Sequence, residues 1–80
     1  MGEREALDLA DAVTELARRC RASGRPAEAE VHYRRALAIL ADSVDPGHPS
    51  RAAIEQHYAT LLAELGRVAD RGATSGRSSA

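Results

Sequence analysis

Gly24 and Pro26, two residues apart in the middle of a strongly helical stretch, constrain this chain more than any other feature. Glycine tolerates the left-handed backbone that ends a helix, and proline suits the first position of the next one. Leu16–Leu40 therefore reads as the end of one amphipathic helix, a tight turn and most of a second helix. Leu16, Ala17 and Cys20 share a face before the turn. Ala29, Tyr33, Ala36, Leu37 and Leu40 share one after it, at the three- and four-residue spacings of a helix. An antiparallel helical hairpin with one apolar face per helix follows.

The rest of the chain extends the pattern. Helix one is expected over about 4–23, with Glu3, Glu5 and Asp8 near its start and Arg18, Arg19 and Arg21 near its end, as the helix dipole prefers. Its buried stripe is read as Leu9, Val13, Leu16, Ala17 and Cys20. Helix two is expected over 26–42, with Val31 and Ile39 on flanks that could touch a neighbouring unit. The loop Asp42–Pro49 holds two prolines and a glycine, which no helix crosses. Helix three is expected over 49–65, stopping at Gly66, with Ile54, Tyr58, Leu61, Leu62 and Leu65 as its stripe. Residues 1–70 then form one helical domain, and the Gly/Ser-rich residues 71–80 a disordered tail.

Leu16, Ala17, Gly24, Ala29, Tyr33 and Ala36 stand where a tetratricopeptide repeat places its recurrent Leu, small, Gly and aromatic residues, so the stretch resembles that family. Cys20 occupies a usual aromatic position and Pro26 another. The loop Asp45-Pro46-Gly47-His48-Pro49 is similar to the longer inter-repeat connection of kinesin light chain-type repeats, which adds several residues to the usual length of about 34. Gly24 and Gly66 are 42 residues apart, and the same offset relates Ala10 to Ala52, Ala17 to Ala59, Arg25 to Arg67 and Ala27 to Ala69. Arg71 then breaks the match to Ala29. The expected architecture is all-α, about one and a half repeats: three helices and a tail.

Size and charge narrow the function. Eighty residues without Phe or Trp, and with a large share of Ala, form helix readily but bury little area per residue. A net charge of −1 argues against a general nucleic-acid binder. All eleven basic residues are Arg, which is read as coding bias. No apolar run approaches the ~20 residues of a membrane span, and the first residues lack the apolar core of a signal peptide. The lone Cys20 excludes an internal disulfide, fits a small buried residue on the helix-one stripe, and suits a reduced, cytoplasmic setting.

No catalytic or metal-binding pattern is present in the sequence, so neither an enzyme nor a cofactor is expected. His32, His48 and His57 lack metal-ligand spacing; His48 is expected to order the loop ahead of helix three, as the resemblance implies. Asp42, Asp45 and Gly47 lack the alternating acids of a calcium loop. The resemblance implies a protein–protein interaction module whose groove is lined by the first helix of each unit. Carried over by position, the partner-binding residues are Asp11, Thr14, Glu15, Arg18 and Arg21 on helix one, and Gln56, His57, Thr60 and Glu64 on helix three. Lys/Asn pairs of the carboxylate-clamp members are missing, so the chaperone C-termini those members grip are not the expected ligand. Leu61 and Leu65 stand where helix one has Arg19 and Ser23. Helix three is therefore expected either to be covered from outside, as a homodimer through Leu61 and Leu65 or by docking on another helical protein, or to fold back on helix two as a three-helix bundle. A regulatory or adaptor fragment of a larger repeat protein, or a truncated remnant, is the alternative to an independent module.

Overall fold

The computed structural model describes the backbone of residues 2–79 and the side chains of residues 2–67. It is all-α: α1 (Glu3–Ala22), α2 (Pro26–Ala41) and α3 (Pro49–Ser79), with α2 packed against both of the others. The first two helices form an antiparallel hairpin and α3 lies back on it, so the fold-back arrangement holds.

The turn between α1 and α2 accounts for its own backbone hydrogen bonds. Gly24 takes a φ of 79°, its N–H donates to the Arg21 carbonyl at 3.1 Å, and the Arg25 N–H donates to the Cys20 carbonyl at 2.8 Å. Those two bonds make a Schellman motif, which satisfies carbonyls that the end of α1 would otherwise leave open. Pro26 then opens α2 at the position where its missing N–H costs nothing.

The hairpin seam is built from alanine. Ala6, Ala10 and Ala17 of α1 and Ala29 and Ala36 of α2 are fully buried, together with Tyr33 and Leu40. Small side chains let two helices approach closely. This corrects the expected stripe of α1: Leu9 is 48% and Leu16 46% exposed, on the flank of the buried face. Val13 and Cys20 keep their place at its edge. Hydrophobicity alone ranks the leucines first, whereas close approach of α2 favours the alanines that follow them, Ala10 and Ala17. Val31 is also exposed on its flank, and Ile39 packs into the chain's own core.

Helix α3 contacts the hairpin through Ile54 and Leu61, both buried, and through Tyr58 and Leu65 at the margin. Leu61 is fully buried within the chain, and Leu65 is partly buried against the same core. Leu62, expected in the stripe, is 41% exposed. The helix does not stop at Gly66 but continues to Ser79. Among the described residues Gly24 is the glycine with positive φ; Gly66 is a helix-interior glycine, which costs only about 1 kcal/mol relative to Ala and ends nothing. The side chains of the expected tail lie outside the described residues.

Between α2 and α3 the loop is held at both ends. Val44 is buried, and the Arg51 guanidinium donates to its carbonyl at 2.9 Å. Asp45 accepts the Gly47 N–H on its carboxylate at 3.1 Å, and its carbonyl accepts the His48 N–H at 2.9 Å. The His48 Nδ1 accepts the Ser50 N–H at 3.1 Å, so His48 caps α3 with its ring. That is the loop-ordering role expected of it.

Candidate functional site

An open cleft of about 450 Å³ lies between the C-terminal half of α1 and the middle of α3, lined by Arg18, Arg21, Ala22, Tyr33 and His57. Each element contributes for a local reason. Arg18 and Arg21, one turn apart on α1, project from its basic last turns. Ala22 is too small to fill the space beside them. Tyr33, on α2, is fully buried, and its ring lies nearly parallel to that of His57, with centroids 6.4 Å apart and planes at 10°. Tyr58 closes the other side of Tyr33, its ring centroid 6.5 Å away, and donates its hydroxyl to Glu30 at 3.4 Å.

Two ion pairs surround the cleft. Arg21 hydrogen-bonds Glu64 on α3, both side chains about one-third exposed; this pair ties α1 to α3 directly. Arg18 meets Glu15 at 3.8 Å, with both side chains mostly exposed, a pairing of little energetic weight. Among the described residues, two hydroxyls in the region are buried without a partner: that of Tyr33 and that of Thr14. Thr14 precedes Arg18 and Arg21 by four and seven residues, so all three share a face of α1.

The nine residues expected to meet a partner divide accordingly. Arg18, Arg21 and His57 line the cleft, and Glu64 joins them through Arg21. Thr14 lies half-buried on the same face. Asp11, Glu15, Gln56 and Thr60 are exposed and do not line it; Thr60 turns its hydroxyl back to the Gln56 carbonyl at 3.0 Å. Tyr33 was assignable from sequence only to the core. Its hydroxyl, a polar atom on an otherwise aliphatic stripe, is the signal that it has a second role.

Elsewhere, Cys20 is half-buried and its thiol points at Glu28, 3.9 Å away. Among the described residues, no group of His, Cys, Asp and Glu is arranged to hold a metal ion, and no helix is long and apolar enough to cross a membrane. Comparison with family models, with curated proteins and with solved structures gives no match.

Proposed function

We propose that this chain is a non-catalytic protein-interaction module of the tetratricopeptide type, working in the cytoplasm, and that it receives a partner segment in the α1/α3 cleft. The observation that carries this reading is the convergence of Arg18 and Arg21 with His57, residues from two helices 36 or more positions apart, on one open cleft, with Glu64 paired to Arg21 beside it. The floor is aromatic, the rim is charged, and the cleft opens to solvent. Its volume falls at the lower end of the range of about 300–1,000 Å³ typical of ligand sites, enough for one or two side chains of a peptide.

The test is selection of a random-peptide display library on the immobilised full chain. Peptides that bind wild type and lose about tenfold or more against Arg18→Glu, a change of one exposed side chain, support the cleft. Failure to enrich any peptide, or binding that survives Arg18→Glu combined with His57→Ala, overturns it.

A second reading, a fragment of a larger repeat protein, draws on Leu9 and Leu16. In the 42-residue correspondence Leu16 matches Tyr58, and Tyr58 packs on α2. Leu16 is thus exposed at the position where its counterpart is covered by a preceding helix.

A further inference from the structure

The flank of α1 away from the cleft carries an uncovered apolar stripe. Leu9 and Leu16 are each about half exposed, and Ala12 between them is exposed as well. Glu5 and Arg19, both exposed, continue the same line at either end. The steps along it are four, three, four and three residues, the spacing that keeps one face of a helix in register with a neighbouring helix. Arg18 and Arg21, which line the cleft, lie on the other side of α1.

The stripe has the same order from either end, with the charge reversed. Ala12 stands at its centre, a leucine flanks it on each side, and an acid and a base close it. Among the described residues, neither Glu5 nor Arg19 has an ion-pair partner in its own chain. The surrounding charges divide in the same way. Glu3, Glu5, Asp8 and Asp11 against Arg4 leave the first half of α1 acidic, and Arg18, Arg19 and Arg21 against Glu15 leave the second basic.

A helix face that complements itself when reversed fits a second copy of the chain. Turned antiparallel about Ala12, two such stripes set Leu9 beside the partner's Leu16 and Glu5 beside the partner's Arg19, and each contact occurs twice. The small Ala12 side chains at the crossing let the two backbones approach closely. Parallel pairing would set acid on acid and base on base, which like-charge repulsion opposes. A net charge of −1 adds little repulsion between whole chains. We propose that this flank of α1 is the interface of an antiparallel, two-fold homodimer. It lies apart from the cleft and from Leu61 and Leu65 on α3, and it does not depend on peptide binding. One helix face per copy falls in the small class of interfaces, under ~1,200 Å² in total, so a weak dimer with a Kd of about 10–100 µM is expected.

The test is sedimentation equilibrium of the full chain in reductant, from about 10 µM to 1 mM, with circular dichroism to check that each variant is helical. A monomer–dimer equilibrium is expected. Leu16→Gln should weaken it at least tenfold. Glu5→Arg and Arg19→Glu should each weaken it about tenfold, because either reversal sets like charges together at both ends of the contact. Mixing those two variants should return dimerisation to about the wild-type level, since each offers the charge the other needs. Restoration on mixing also excludes misfolding as the cause of either loss. Arg35→Glu, exposed on α2, should leave the equilibrium unchanged. A mixture no stronger than its components overturns the antiparallel register. Dimers that survive Leu16→Gln place the contact elsewhere and overturn the interface, as do species larger than a dimer, the mark of head-to-tail stacking. A wild-type chain that stays monomeric throughout overturns the proposal outright and leaves the stripe to a helix of another protein.

Discussion

The two helix–helix joints of this molecule are built on opposite principles. The α1/α2 joint is a seam of alanines, closed by a three-residue turn whose N–H groups donate back to carbonyls at the end of α1. The α2/α3 joint is made by large side chains, Tyr33, Tyr58, Ile54 and Leu61, across a longer loop. Small residues bring two backbones together and leave no room between them. Large residues hold a helix further out, and space remains wherever they do not fill it. The cleft lies beside the aromatic joint for that reason, and the unpartnered hydroxyl of Tyr33 is found there because a ring carries its polar atom to a place the backbone does not reach.

The largest effects should come from Tyr33, which belongs to both joints. Tyr33→Ala removes a fully buried ring, a change that costs about 3–5 kcal/mol in protein cores. A domain of this length has roughly 4–12 kcal/mol of stability in all, so global loss of helix, seen by circular dichroism on denaturant titration, is the expected result. Leu61→Ala, at about 2–5 kcal/mol, should act on one joint only. Amide hydrogen exchange is expected to show α3 losing protection while the α1/α2 seam keeps most of its own. Equal loss in both would mean that the joints form a single cooperative unit and that their different construction has no energetic consequence.

That contrast also explains what was legible in the residues beforehand. Helix ends at Gly24, Pro26 and Pro49 could be read directly, because backbone chemistry at those positions is local. The alanine seam could not, since apolar ranking favours Leu9 and Leu16 over Ala6 and Ala10, and only the close approach of α2 reverses the order. Gly66 misled for a related reason: a glycine ends a helix only where its φ turns positive, which its identity alone does not reveal. Around the cleft, Arg18, Arg21, His57 and Glu64 are positions that the repeat resemblance implies, and helix register alone does not single them out. The unpartnered hydroxyl of Tyr33 depends on how three helices meet, and no spacing encodes it.

The loop that sets α3 against the hairpin gives a smaller test. His48→Ala removes the ring nitrogen that accepts the Ser50 N–H, and loss of such a cap costs about 0.5–2 kcal/mol. Asn at this position also offers an acceptor, so His48→Asn should recover most of the loss. Since the cap belongs to α3, exchange at the start of that helix should rise more than exchange in α1. A uniform rise across all three helices would show the loop acting through the hairpin rather than through the cap.

Gly66 offers the smallest change and the only stabilising one. Its φ is not positive, and a Cβ built there meets nothing within 4 Å, so Gly66→Ala should stabilise the chain by about 0.5–1 kcal/mol, through helix propensity and the lost freedom of the unfolded chain. The gain should appear as slower exchange in the part of α3 that follows Leu65, with the alanine seam unaffected. Gly24→Ala is the matched control: at a φ of 79° the same substitution should destabilise, by roughly 1–2 kcal/mol, the cost of a Cβ in left-handed backbone. Opposite signs at two glycines 42 residues apart would separate a turn that closes a hairpin from a helix that runs on. If Gly66→Ala destabilised instead, the chain would break at Gly66 in solution, and α3 would end where its counterpart α1 does.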